Sequence, residues 1–97
     1  MNDHQTVEMG IQARQVLENP AFIEAMRRVH EIAHLQFKKA DLRDAEGLKL
    51  ARQFAAVTDD FEAIMHRMVE GGKLAQLSLD KHRDESGLKR AARRFTR

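Results

Sequence analysis

Leu50, Phe54, Val57, Phe61, Ile64 and Met68 follow one another at alternating steps of four and three residues. That rhythm averages 3.5 residues, close enough to an α-helical turn to hold all six side chains on one stripe. A strand would need alternation with a period of two, and no such run occurs in the chain. The stripe predicts a long helix packed lengthwise against another helix, with these six residues as a helix–helix or oligomer seam. Most other expectations for this chain follow from what can lie beside it.

The partner stripe stands upstream. Phe22, Met26, Val29 and Ala33 repeat the four-three-four spacing within residues 20–39, widened by Ile23, Ile32 and Phe37. Asn19-Pro20 is a strong helix start, because the Asn side chain can accept from free N–H groups and Pro suits the first helical position. Residues 40–44 form a short connection in which Asp41 or Asp44 can cap the third helix. So brief a link between two long helices folds them back antiparallel. A shorter amphipathic helix is expected over residues 6–18, weakened at Gly10 by about 1 kcal/mol relative to Ala. The third helix is expected to span residues 45–70 and to end at Gly71-Gly72, since glycine readily adopts a left-handed cap. Another short helix then covers residues 73–85, and Ser86-Gly87 breaks it. The fold class is all-α: a long antiparallel hairpin (residues 1–86) with a short N-terminal helix, a C-terminal helix and a basic tail (residues 87–97).

Composition narrows the functional classes. With 97 residues there is room for one small domain. Cys is absent, which excludes disulfides and thiolate metal sites and makes the cytosol the simplest compartment. Residues 1–10 lack the apolar centre of a signal peptide, and no stretch approaches the roughly 20 apolar residues of a membrane span. The net charge of +2 is unevenly spread. Residues 87–97 carry Lys89, Arg90, Arg93, Arg94 and Arg97 with no acid, whereas the other 86 residues hold 12 Lys or Arg against 15 Asp or Glu. A mildly acidic body with a basic end is a pattern of interaction arms. Drawn as a helix, the tail places Leu88 and Phe95 on one side and Lys89, Arg93 and Arg97 on another, joined by Arg90 and Arg94. These five cations are the candidate residues for binding nucleic acid or an acidic partner, by neutralising phosphates in a salt-dependent way.

Catalytic constellations are weak by comparison. His30-Glu31-Ile32-Ala33-His34 matches the H-E-x-x-H pattern, in which two His one turn apart grip zinc and the Glu activates water. A third ligand and a substrate cleft are also required; His66 and Glu62 on the facing helix are the candidates. The extended pattern fails, with Phe37 and Ala40 where Gly and His belong. Local hydrogen bonding therefore accounts for the two His better than metal does. Glu31-Ile32-Ala33-His34 is one Glu-x-x-His element where a di-iron bundle needs two, and Asp59, Asp60 and Glu62 read as a solvated acidic face. No phosphate-binding glycine loop or serine nucleophile context is present. The expectation is a non-enzymatic protein with no cofactor, metal or small-molecule substrate.

Three stretches, Glu18-Asn19-Pro20-Ala21-Phe22, Asp44-Ala45-Glu46-Gly47 and Val69-Glu70-Gly71-Gly72-Lys73-Leu74-Ala75, resemble small helical proteins of tailed bacteriophages and gene-transfer elements. The resemblance spans roughly residues 15–78 and rests on caps and seam positions. Some of those proteins are similar to small terminase subunits, which form oligomers, bind DNA and regulate the packaging motor. It implies a cytoplasmic DNA-packaging protein that is a homo-oligomer and engages DNA non-specifically or a large-terminase-type partner. The chain departs from small terminases in lacking an N-terminal helix-turn-helix, so no DNA-reading residue is carried over. The alternative is a protein-binding adaptor or inhibitor module without nucleic-acid affinity.

Overall fold

Asparagine caps open both of the first two helices. Asn2 accepts from the Gln5 backbone N–H at 2.8 Å while the Gln5 side chain accepts from Asn2 N–H at 3.0 Å, a reciprocal capping box that starts α1 (Asp3–Glu18) three residues earlier than its apolar pattern implies. Asn19, at φ −70° and ψ 124°, ends α1 and begins α2 (Pro20–Lys39), its side chain accepting from Ala21 N–H at 2.9 Å and Phe22 N–H at 3.2 Å. Asp44 accepts from Gly47 N–H at 2.9 Å and caps α3 (Ala45–Phe95). The computed structural model describes the backbone of residues 1–95 and the side chains of residues 1–88. Among the described residues the chain is all helix and connection, without a strand. No described helix is long and apolar enough to cross a membrane.

The three helices make one long hairpin. The first arm is α1 followed by α2, interrupted at Asn19; the second is α3, which runs antiparallel to both. His4, Val7 and Glu8 lie beside Gln76, Leu79 and Arg83, and at the other end Gln36, Lys39 and Ala40 lie beside Gly47, Leu50 and Ala51. The molecule measures 82 × 27 × 16 Å, so it is a single layer of helices.

Neither expected break in the second arm exists. Gly71-Gly72 and Ser86-Gly87 both continue α3, and no glycine has positive φ. Gly72 serves a different purpose. A Cβ at Gly10 would sit 2.9 Å from the Gly72 Cα and 2.9 Å from the Met68 carbonyl oxygen, and a Cβ at Gly72 would sit 2.9 Å from the Gly10 Cα. Two helix backbones touch here, which only a pair without side chains permits. The separate helix over residues 73–85 is accordingly part of α3, and the boundary at residue 86 lies inside that helix.

This contact also fixes the rotation of α3. With Gly72 against α1, the heptad step carries Val69, Met65, Glu62, Thr58, Ala55, Ala51 and Leu48 onto the same side in one direction and Gln76 and Leu79 in the other; all are buried or half-buried. Thr6, Gly10, Ala13 and Leu17, then Phe22, Met26, Val29 and Ala33, face them from the first arm. Among the described residues the buried apolar side chains are alanines: Ala13, Ala33, Ala51 and Ala75. Thr58, the one buried polar residue described, donates its hydroxyl to the Phe54 carbonyl at 2.9 Å.

The expected seam needs correction as an internal one. Leu50, Phe54, Val57, Phe61, Ile64 and Met68 each precede an internal seam residue by one position, which turns them about 100° away from the first arm. They are 36–67% exposed. Phe61 alone has an aromatic partner across the hairpin, Phe22, at 6.2 Å between ring centres. Small residues win the inward side because they let the backbones close and gain many dispersion contacts at short range. The larger side chains are left at the flank.

Candidate interaction face

A single layer of two antiparallel arms has two broad faces. Residues one position before the seam lie on the same face in both arms, and residues one position after it lie on the other. The first face carries the six α3 residues together with Met9 and Val16 of α1 and Ile32 and Leu35 of α2, all substantially exposed. The second face carries Arg14 beside Lys73, and Arg27 and His30 beside His66, interspersed with exposed Ile11, Ile23, Phe37 and Leu77. The first face is thus the more continuously apolar of the two, and the second is mixed.

The hairpin exposes more surface than a compact chain of its mass. A compact folded chain of 11.2 kDa is expected to expose about 5,700 Å² by surface–mass scaling. This one exposes 8162 Å². No large side chain is completely enclosed. A domain normally needs two packed layers to make a core, and this hairpin supplies one.

The second face accounts for the H-E-x-x-H residues. His30 Nε2 lies 2.7 Å from Glu62 Oε1 across the hairpin, so one expected third ligand is brought to one expected zinc ligand. Glu31 instead pairs with Arg27 at 3.1 Å along its own helix, and His34 is exposed. Among the described residues no three His, Asp or Glu side chains converge as metal ligands. Next to it, Arg27 and Arg28 both hydrogen-bond Glu24, at 2.9 and 3.0 Å. These donated bonds hold the Glu24 carboxyl down to about 2, and the same contact raises the Arg27 guanidinium further above its already high range. Asp59 and Asp60 are exposed, while Glu62 turns inward to His30, so the acidic run divides between faces.

Lys89, Arg90, Arg93, Arg94 and Arg97 fall outside the residues whose side chains are described. The α3 backbone nevertheless extends through Phe95.

Sequence reasoning missed Met9, Val16, Ile32 and Leu35 as members of a common face, because their stripes are short and mixed with polar residues. The signal that could have found the internal seam was the regular recurrence of small residues at Ala51, Ala55, Thr58, Gly72 and Ala75. No protein family, curated protein or solved structure matches the chain.

Proposed function

We propose that this protein is a non-enzymatic assembly module: its apolar face associates with another helical surface, and its basic C-terminal end engages DNA or an acidic partner. The observation that carries this reading is the outward stripe from Leu50 to Met68 on a hairpin too thin to have a second layer. Exposed contiguous apolar surface of this extent is characteristic of interaction sites. The five cations at positions 89–97 suit a polyanion, since each phosphate neutralised releases counterions. Homo-oligomeric DNA packaging, as the likeness to small terminases implies, is the specific form we favour, acting in the cytoplasm.

Sedimentation of the full chain with and without duplex DNA tests this directly. The expected result is a mass above 11.2 kDa in the absence of DNA, together with DNA retention that weakens steeply as salt rises. Replacing Lys89, Arg90, Arg93, Arg94 and Arg97 by Gln should abolish retention without altering oligomer size. A monomer that ignores DNA at low salt would reject both halves of the reading. An oligomer that ignores DNA would leave the adaptor function as the better description.

A further inference from the structure

We infer that the occupant of the apolar face is a second copy of this chain, packed so that the two α3 helices run antiparallel about a two-fold axis near residue 59. This rests on the assembly reading above and gives it a partner and a geometry.

A four-three-four-three-four rhythm reads the same in both directions, so an antiparallel copy can meet the stripe in register about that point. Leu50 and Met68 stand nine residues either side of position 59, Phe54 and Ile64 five, and Val57 and Phe61 two. The next positions of the same rhythm, twelve residues out on either side, are Gly47 and Gly71. The stripe therefore begins and ends at matched distances, closed at both ends by residues without side chains. An antiparallel copy overlaps it along its whole length with no apolar overhang. A two-fold contact is self-complementary by construction, each residue meeting its counterpart twice.

Side-chain volumes agree with the antiparallel register. It sets Leu50 against Met68 of the second copy, Phe54 against Ile64, and Val57 against Phe61, so each layer joins a bulky side chain to one of different shape. A parallel register would set Phe54 on Phe54 and Phe61 on Phe61 while leaving two valines at the layer between, overfilling two layers and underfilling one.

The area is also of the right order. At 36–67% exposure the six side chains present roughly 500 Å². A stable two-protein contact takes about 800 Å² from each partner. Met9, Val16, Ile32 and Leu35 lie on the same face and can contribute much of the remainder. Two slabs stacked through these faces form a four-helix layer pair, with the large residues supplying the core that neither copy has alone.

Thiol cross-linking in the otherwise cysteine-free chain decides the geometry. In the double variant Leu50→Cys with Met68→Cys, the two positions are about 27 Å apart along one helix, too far to join within a chain, yet they meet between antiparallel copies. Mild oxidation should convert this variant largely to covalent dimer, while Leu50→Cys alone and Met68→Cys alone give only background. A separate variant, Val57→Glu, should lower the sedimentation mass from twice 11.2 kDa to 11.2 kDa. Covalent dimer from the single variants would overturn the antiparallel register. A dimeric mass with no cross-linking in any variant would overturn this interface but leave self-assembly standing. A monomeric wild-type chain at every concentration would overturn both.

Discussion

Gly71 and Gly72 are neighbours in one helix, and the same substitution should move stability in opposite directions at the two positions. Removing a mid-helix glycine in favour of Ala is intrinsically worth up to about 1 kcal/mol. At Gly71 the added methyl would find the Thr6 Cγ2 at 3.9 Å, an ordinary contact, so the gain is kept. At Gly72 it would meet the Gly10 Cα at 2.9 Å and the Thr6 carbonyl oxygen at 3.3 Å. Both are backbone atoms, so the conflict is relieved only if α1 moves away by much of an ångström. Overfilling of this kind costs about 1–3 kcal/mol, and after a propensity gain of about 1 kcal/mol a net loss of up to about 2 kcal/mol remains for Gly72→Ala. In a chain of this size that lowers Tm by up to about 16 °C, whereas Gly71→Ala should raise it by about 2–8 °C. Circular dichroism melts at matched protein concentration provide the measurement, since self-association would otherwise shift Tm by mass action. Equal melting temperatures for the two variants would refute the backbone contact and with it the rotation of α3 that turns the large stripe outward.

Three further outcomes follow from the same geometry. Asn19→Ala removes two accepted hydrogen bonds at the junction of α1 and α2 and should cost about 1 kcal/mol in urea unfolding, with no change expected in the length of either helix. Ala51→Leu, at a position only 3% exposed, should destabilise the hairpin by about 1–3 kcal/mol, while a polar replacement at exposed Val57 should act on association instead. The Glu24 carboxyl, held near 2 by Arg27 and Arg28 against an ordinary value of 4.5, contributes stability that is fully present above 4.5 and lost as pH falls towards 2. Carboxyl titration by NMR should place its midpoint near the lower figure, and Glu24→Gln should remove that part of the acid sensitivity; a midpoint at 4.5 would show the two arginines to be elsewhere.

Local chemistry made part of this fold legible. Asn19-Pro20 and Asp44 announce helix starts whose hydrogen bonds involve residues only two or three positions away, so the sequence contains all that decides them. Periodicity identified the all-helical fold and the apolar stripe on α3. It could not reveal which of two adjacent stripes on α3 turns inward. The large stripe has the stronger hydropathy signal, but the decision is made by Gly10 meeting Gly72, a contact between residues 62 positions apart. The same distance explains the error at Gly71-Gly72, where a local propensity for helix termination was overridden by tertiary packing. His30 and Glu62 were foreseeable as neighbours once the arms were antiparallel, whereas their companionship with Glu31 and His34 in a metal site required side chains that the helix directs elsewhere.

The division of labour between the two stripes has a consequence for how folding and assembly are coupled. A seam of Gly, Ala and Thr brings the arms close but removes little apolar area per residue, and burial yields only about 25 cal/mol per Å². Among the described residues its four buried apolar side chains are all Ala, so the isolated hairpin has a shallow hydrophobic core. The larger side chains that could deepen it lie at the flank, where Phe61 alone of the six meets an aromatic ring of the first arm, and no rotation of α3 can bring them fully in without separating Gly72 from Gly10. Covering them from outside leaves that contact intact and adds the missing layer. Stability that depends on such covering must rise with protein concentration, in proportion to the logarithm of the partner available. A melting temperature independent of concentration over a hundredfold range would mean that the alanine seam suffices by itself, and the outward stripe would then have to serve a partner other than its own copy.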